Sequence, residues 1–321
     1  MKDDGMAPIA DRRTAGAPPP ARRPAPPLKA IPFRAWRPAL AALAVLAWLA
    51  PAWGAPAALD VTPAEIPPGG IALVRIHPPP GAAVRGLHFR GRAVPVHPAA
   101  DGGYVALVGA GLRTPPGRYD LVLRLEGRPG RRTLKRRLRV RPKSFPAERL
   151  KLPEKMVEFP PKVLRRVRRD QEAVRRACGG LSPEIHWEPP FLRPVDGPVL
   201  SPFGLRRILN GQPRSPHSGV DLRAAAGTPV RAANAGRVVL ARDCYLSGKT
   251  LVLDHGGGLF SIYAHLAEFA VTAGQQVRRG QVVGRSGASG RATGPHLHWG
   301  VSLLGERLDP EALIALLGSP R

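Results

Sequence analysis

Five residues in the last third of the chain have side chains that could bind a metal ion and handle protons: His217, Asp221, His265, His296 and His298. His296 and His298 flank a single leucine, and on a β-strand the side chains at positions i and i+2 point to the same face. We therefore expect these two imidazoles to project into one cleft. Buried polar groups need partners, which a metal ion or a polar catalytic cleft would supply.

His217 and Asp221 add a histidine and a carboxylate four residues apart. A catalytic zinc site combines three protein ligands of this kind with an open position for water. His217, Asp221 and one of the two paired histidines would complete such a set, and the spacing does not decide which of the pair it is. The other paired histidine and His265 would then accept a proton or stabilise a developing oxyanion. The pattern predicts hydrolysis assisted by one zinc ion.

Three longer segments carry a resemblance to a known family: HSGVDLRAAAGTPVRAANAGRVV (217–239), LVLDHGGGLFSIYAHL (251–266) and VRRGQVVGRSGASGRATGPHLHWGV (277–301). From about residue 194 onward, the chain resembles the lysostaphin-type, or LytM-like, zinc endopeptidases of bacterial cell walls. The resemblance implies a β-rich fold with an open groove, one zinc ion per chain and an extended peptide substrate in peptidoglycan.

The resemblance also assigns roles that spacing leaves open. It implies that His217, Asp221 and His298 bind the zinc ion and that His265 and His296 are catalytic. The implied reaction is hydrolysis of peptide cross-links or stem peptides of peptidoglycan, with the bond itself unspecified. Some members of such families have lost ligands and act as catalytically silent wall-binding regulators of another murein hydrolase. The presence of all five residues favours the enzyme.

The elements that must position these residues are short strands. Residues 191–321 are expected to form an antiparallel, turn-rich β metallopeptidase domain that ends in a helix at about 309–317. Its predicted strands are 236–243, 250–256, 259–266, 275–287 and 296–304.

The preceding residues predict a second β region, so the expected fold class is mainly β. Residues 59–142 contain short alternating runs between Pro/Gly turns, typical of a β-sandwich-like domain. Residues 143–190 are expected to form a basic linker and a short linking helix at about 162–178, whose apolar face includes Val167, Gln171 and Cys178. The predicted strands of the sandwich are 72–78, 83–89, 103–110, 119–127 and 133–142.

Residues 1–58 are interpreted as a leader. The apolar run at 39–50 follows Arg34 and Arg37 and precedes small residues, which is typical of a signal peptide. A membrane anchor is the alternative, although the run is shorter than the roughly 20 residues of a full span. We expect export to the periplasm or cell envelope.

The net charge of +26 is concentrated in the middle of the chain, where residues 59–180 hold 26 Lys and Arg against 10 Asp and Glu. A basic surface attracts polyanions. With an export signal and no aromatic-interleaved nucleic-acid motif, we expect an anionic wall or outer-membrane polymer and not a nucleic acid.

Four other features near the motifs have less specific interpretations. The spacing of Cys178 and Cys244 excludes a CxxC zinc site and leaves a disulfide between them open. His255 is expected at a turn, and Asn210 could occupy the open position of the metal. The Gly-rich segment 287–294 is either a wall of the groove or a tight turn.

Overall fold

The computed structural model describes residues 57–128, 130–151 and 159–318. The apolar run at 39–50 and the rest of the predicted signal lie outside these residues. No helix within the described ranges is long and apolar enough to cross a membrane.

The first part of the chain folds into two β-sheets that enclose one apolar core, as the alternating runs predict. One sheet has the strand order β1-β3-β7-β6, and the other has the order β2-β9-β8-β4-β5. Val74, Ile76, Leu121 and Leu138 are fully buried between them. The strands are β1 (Ala58–Thr62), β2 (Glu65–Ile66), β3 (Ile71–His77), β4 (Ala83–Phe89), β5 (Arg92–Val94), β6 (His97–Pro98), β7 (Tyr104–Gly109), β8 (Gly117–Gly127) and β9 (Gly130–Val140).

The segment predicted as a linker contains strand β10 (Ala147–Leu150) and helix α1 (Pro161–Ala177), close to the predicted 162–178. The buried face of the helix agrees with the predicted one at Val167 and Cys178 and differs from it at one position. Gln171 is exposed and Asp170 is buried instead. The Asp170 carboxylate accepts hydrogen bonds from the backbone N–H of Tyr245 (2.9 Å) and from the Arg242 guanidinium (3.2 Å). Apolar periodicity could not reveal this, because the burial of Asp170 depends on distant donors.

The second part of the chain is a ten-stranded sheet with the main strand order β11-β14-β21-β18-β17-β16-β19, joined at its margins by β15, β20 and β22. A smaller sheet has the order β10-β12-β13. The strands are β11 (Val199–Ser201), β12 (Arg206–Leu209), β13 (Gln212–Pro213), β14 (Val220–Arg223), β15 (Pro229–Arg231), β16 (Gly236–Cys244), β17 (Gly248–Gly256), β18 (Leu259–Phe269), β19 (Gln276–Val277), β20 (Val282–Ser286), β21 (His296–Leu303) and β22 (Glu306–Leu308), and helix α2 is Pro310–Leu317.

Strand β21 shows how this sheet divides its two faces. One face carries Leu297, Trp299 and Val301, all fully buried in the core beneath the sheet. The other face carries His296 and His298, the residues predicted to do chemistry. The two-residue period of a strand therefore separates packing from chemistry.

Helix α2 closes the core of the larger sheet and joins it to the sandwich. The Asp309 side chain accepts a hydrogen bond from the Glu311 N–H and caps the first turn, and Pro310 occupies the first helical position. Leu313 of this helix and Ile71 of the sandwich belong to the same buried cluster. The two β regions therefore share apolar contacts.

Two local predictions are corrected by the structure. The predicted strand 275–287 is divided into β19 and β20, because residues 278–281 form a turn in which Gln281 N–H bonds to the Arg278 carbonyl (3.1 Å) and Gly280 has φ +77°. His255 was expected at a turn but lies within β17 and is fully buried. Its ring is stabilised there by hydrogen bonds to Ala235 and Ser261, which sequence spacing could not show.

Candidate active site

The register of the central strands brings the predicted ligands together. Strands β14 and β21 are antiparallel neighbours in which Asp221 lies directly opposite His298. Strand β18 borders β21 on its other side and places Ala264 opposite His298. Directly opposed residues on antiparallel strands have Cβ atoms about 5 Å apart, so their side chains meet. His217 lies in the segment that precedes β14, and His265 lies within β18.

Three donor atoms converge at this point. His217 Nε2 lies 2.9 Å from His298 Nδ1, and Asp221 Oδ1 lies 2.9 Å from His298 Nδ1 and 3.0 Å from His217 Nε2. Zinc ligands at 2.0–2.1 Å in a tetrahedral arrangement are separated by about 3.3 Å. The observed separations are close to that value. Among the described residues, these three form the group whose ligand atoms could hold a metal ion.

Backbone groups fix the orientation of the His217 ring. Its Nδ1–H donates to the Pro202 carbonyl (3.0 Å), which leaves the Nε2 lone pair directed at the cluster. The backbone of His217 is held on both sides, since its N–H bonds to the Leu205 carbonyl (3.0 Å) and its carbonyl accepts from Gly204 N–H (2.8 Å). Bonds of this kind set which nitrogen of a metal-binding histidine is free.

The electrostatics of the cluster suit a divalent cation. Burial by itself raises the pKa of Asp221, but the interactions of its carboxylate with the His217 and His298 rings outweigh this effect and hold the pKa well below its usual range. Burial lowers the pKa of His298, which favours the neutral imidazole. One carboxylate and two histidine nitrogens form a donor set that zinc commonly takes, so the residues present fit the ion.

His265 reaches the site through an irregularity in β18. Along a regular strand, His265 would follow the alternation of Tyr263, which is fully buried in the core. The register between β17 and β18 shifts between Lys249 and Leu251, and His265 has φ +61°. A bulge with a non-glycine residue in the left-handed region re-aims a side chain and occurs often at functional sites. The imidazole consequently lies beside His296, with ring centroids 4.7 Å apart.

The Gly-rich segment 287–294 orients both predicted catalytic histidines. The Ser289 carbonyl accepts a hydrogen bond from His265 Nδ1–H (2.8 Å), and the Gly294 carbonyl accepts one from His296 Nδ1–H (2.8 Å). The Nε2 atom of each ring therefore remains available to a substrate. Sequence reasoning identified the segment but not this role, because backbone carbonyls leave no signal in residue type.

The two rings are suited to proton transfer. His296 Nε2 lies 3.9 Å from Asp221 Oδ1 and so borders the metal-binding cluster. Burial lowers the pKa of His265 to about 4, which keeps the ring neutral and able to accept a proton at neutral pH. The structure thus brings all five predicted residues together, with three positioned as ligands and two as oriented imidazoles. Their individual roles stay predictions.

A buried hydrogen-bond network lies behind the site and was not predicted from the sequence. Ser261 Oγ is 2.7 Å from His255 Nε2 and 2.9 Å from Tyr263 Oη, and Ala233 N–H donates to Tyr263 Oη (2.9 Å). Burial raises the pKa of Tyr263 to about 12, so its hydroxyl stays protonated. The network anchors β18 two residues before His265.

The remaining sequence candidates lie away from the metal-binding cluster. Asn210 and Gly211 form the exposed two-residue turn between β12 and β13, both with positive φ. Cys178 and Cys244 are free and buried. Cys178 lies eight residues after Asp170, about 12 Å along a helix, whereas Asp170 bonds to the residue that follows Cys244. Cys244 is therefore next to the middle of helix α1, whereas Cys178 follows its C-terminal end.

The comparisons with known proteins agree with this geometry. The model of peptidase family M23 matches residues 215–310. The peptidoglycan DD-endopeptidase ShyA of Vibrio cholerae is 41% identical over 109 residues, which cover 33% of this chain and 25% of that protein. The DD-carboxypeptidase/endopeptidase Mpg of Neisseria meningitidis is 37% identical over 112 residues, which cover 35% of this chain and 26% of that protein. The chain thus matches about a quarter of the length of these two relatives.

A solved structure extends the similarity to both β regions. The crystal structure of a peptidase of the M23 type from Pseudomonas aeruginosa has a TM-score of 0.61 and 36% identity to this chain. The match covers 77% of this chain and 94% of that one. The five residues gathered at the centre of the sheet lie within the matched region 215–310. This chain belongs to peptidase family M23.

Proposed function

We propose that this protein is a zinc-dependent endopeptidase that hydrolyses peptide cross-links or stem peptides of bacterial peptidoglycan. The observation that carries the proposal is the convergence of His217, Asp221 and His298 donor atoms beside two imidazoles with free Nε2 atoms. The names of the relatives from Vibrio cholerae and Neisseria meningitidis support a DD-type peptide bond in peptidoglycan as the substrate.

The chain's own residues have defined tasks in this reaction. His217, Asp221 and His298 would hold the zinc ion, which supplies polarisation of the scissile carbonyl and activation of water near neutral pH. The neutral His265 ring accepts a proton at Nε2, because Nδ1–H is already donated to the Ser289 carbonyl. His296 presents its Nε2 in the same way and can donate a hydrogen bond to the developing oxyanion when protonated. The two backbone carbonyls prevent either ring from rotating away.

The test separates metal binding from proton transfer. We would measure zinc content by elemental analysis and muropeptide release from purified peptidoglycan by mass spectrometry. His298→Ala should lose both zinc and turnover. His265→Ala should retain zinc and lose turnover by about 10²- to 10⁴-fold, the usual contribution of a general acid or base. His77→Ala, at a partly exposed histidine on β3, is the matched control and should change neither quantity.

The outcomes also decide between the enzyme and the silent regulator. A wild-type chain that binds no zinc and releases no muropeptides would refute the enzyme and favour a wall-binding regulator. Unchanged zinc content in His298→Ala would remove His298 from the ligand set. The retention of all five residues in one site supports the enzyme.

We also propose that the sandwich retains the protein on an anionic wall or outer-membrane polymer. The outward face of β8 and β9 carries exposed basic side chains, with cross-strand pairs such as Arg139 opposite Arg118. Asp120 and Glu65 offset part of this charge, through ion pairs with Arg137 (3.6 Å) and Arg139 (3.0 Å). The double substitution of Arg137 and Arg139 by Glu should reduce wall retention at low salt and not at high salt. If the double variant and the wild type are retained equally at both salt concentrations, the sandwich does not bind the wall through these charges.

Export to the periplasm or cell envelope is proposed from the leader sequence. The basic flank and apolar run at 39–50 support a signal peptide or an anchor. A fusion of residues 1–58 to a reporter enzyme that is active only after export should show reporter activity. A reporter confined to the cytoplasm would contradict export.

A further inference from the structure

A cavity of about 450 Å³ extends from the candidate active site along the sheet and beneath helix α1. His298 and Ala264 line the end next to the metal-binding cluster, and Ser302 and Arg307 line the other part. Helix α1 forms the roof through the side chains of Val167, Asp170, Gln171, Val174 and Arg175, followed by Cys178 at its C-terminal end. The sequence prediction treated this helix as a connection between domains, whereas the structure makes it a wall of the space beside the site.

The register of the last two strands places Arg307 on the face of the sheet that carries His296 and His298. Arg307 of β22 lies opposite Ser302 of β21, and Ser302 shares its face with His296 and His298. The neighbouring Leu308 points the other way and is fully buried in the core. The Arg307 side chain therefore extends into the cavity and not into solvent behind the sheet.

Arg307 is a partly buried cation without a carboxylate partner among the described residues. Burial lowers the pKa of this guanidinium. The Cys178 thiol that lines the same cavity does not neutralise the guanidinium, because burial raises the pKa of the thiol. By contrast, the buried Asp170 at the roof is already paired with Arg242 (3.0 Å). A buried charge is costly unless it is paired, so an unpartnered guanidinium that lines a cavity indicates a site for an anion.

The strand between the metal-binding cluster and Arg307 leaves room for a ligand. Gly300 lies between His298 and Ser302 on the same face of the strand and contributes no side chain. A Cβ atom there would have Ile262 Cδ1 at 3.5 Å as its nearest neighbour, an ordinary contact, so a larger side chain would project into the cavity. The four-residue step from His298 to Ser302 is about 13 Å along a strand, the length of a few peptide units.

We propose that this cavity is a substrate subsite in which the Arg307 guanidinium binds a carboxylate of the peptide held at the metal centre. The inference rests on the proposed peptidase function. A guanidinium binds a planar carboxylate through two parallel hydrogen bonds, which a lysine could not provide. Stem peptides of peptidoglycan offer this group either as a terminal carboxylate or as the side-chain carboxylate of a diamino acid.

The experiment compares three synthetic stem peptides: one with both carboxylates free, one with the terminal carboxylate amidated and one with the side-chain carboxylate amidated. The kcat/KM of the zinc-loaded full-length chain is measured for each. Amidation of the carboxylate that Arg307 recognises should lower kcat/KM by about 10- to 100-fold, as expected for a charge-assisted pair. The sensitive peptide identifies which carboxylate is bound.

Two variants and one control test the role of the residue. Arg307→Gln should lower kcat/KM for the free peptide by a similar factor and remove the sensitivity to amidation. Gly300→Val should narrow the cavity and raise KM for the free peptide while Arg307 is retained. Arg237→Gln, at an exposed arginine on β16, is the matched control and should keep the wild-type preference. Thermal unfolding verifies that each variant is folded.

Calorimetric binding of the free peptide to the metal-free chain separates failure of the subsite from failure of the peptidase function. If the wild type cleaves but Arg307→Gln keeps the full preference for the free carboxylate, the subsite is refuted. If the wild type cleaves none of the peptides, the proposed function fails. The calorimetric binding of the free peptide then tests the subsite by itself. Loss of saturable binding in Arg307→Gln would then support the subsite, and unchanged binding would overturn it.

Discussion

Acid should destabilise this protein partly through one buried histidine, His255. Its ring is fully buried, with Nδ1–H donated to the Ala235 carbonyl (2.7 Å) and Nε2 at 2.7 Å from Ser261 Oγ. Burial lowers the pKa of His255 from 6.5 to about 4. Between these two values the unfolded chain binds a proton that the folded chain does not. The free energy of unfolding must therefore fall as the pH decreases from about 6.5 to 4.

The size of the effect follows from the two pKa values. Each unit of difference corresponds to about 1.4 kcal/mol, so the full contribution below pH 4 is about 3 kcal/mol. Between pH 7.5 and 4.5 the same linkage gives a loss of about 2 to 3 kcal/mol. This is a large fraction of the 5–15 kcal/mol by which a typical native state is favoured.

Urea unfolding, followed by tryptophan fluorescence with a chelator present, measures this loss. His255→Asn can still donate a hydrogen bond to the Ala235 carbonyl and does not titrate in this range. The wild type should lose about 2 to 3 kcal/mol more than this variant between pH 7.5 and 4.5, because all other titrating groups cancel in the comparison. Equal losses in the wild type and His255→Asn would refute the reasoning.

Three further predictions concern a buried carboxylate, a glycine of the segment 287–294 and the two cysteines. Asp170→Ala should lower the free energy of unfolding by about 1 to 3 kcal/mol, because it leaves the Tyr245 N–H and the half-exposed Arg242 guanidinium without their acceptor. Asp243→Ala, at an exposed carboxylate, should have little effect in the same urea assay. Gly290→Ala should reduce turnover roughly 10- to 100-fold without loss of zinc, since its Cβ would lie 2.3 Å from Gly248 N and displace the segment that orients the histidines. Gly274→Ala, also at positive φ but in open space, should retain turnover. Both cysteine thiols should react with a thiol reagent much more slowly in the native state than in urea, because both are free and buried and burial raises their pKa values. Equal rates in the two states would contradict their burial.

The sequence alone determined the fold class and which residues form the candidate active site. Short alternating runs predicted a mainly β chain, and β4 begins and ends at the predicted residues 83 and 89. The HLH pair is on one strand, so the two-residue period was sufficient to place His296 and His298 on a common face. Local rules of this kind work because they depend on neighbours along the chain.

The tertiary structure decided how these residues are aimed. His265 would lie on the core side of a regular strand, and only the bulge and its φ of +61° direct it to the site. The carbonyls of Ser289 and Gly294 fix the free nitrogen of each catalytic ring. No residue type encodes these effects, because they result from strand register and from backbone groups that every residue carries.

The same distinction applies to the cavity beneath helix α1. The sequence identified a helix with an apolar face, but not the surface against which that face packs. Arg307 was one of many arginines in a strongly basic chain until strand pairing placed it opposite Ser302, on the face that carries His298. Composition and spacing set which groups are available for chemistry. Long-range pairing determines which of them become buried together, because the energetic cost of an unpaired charge arises only when the folded chain removes it from water.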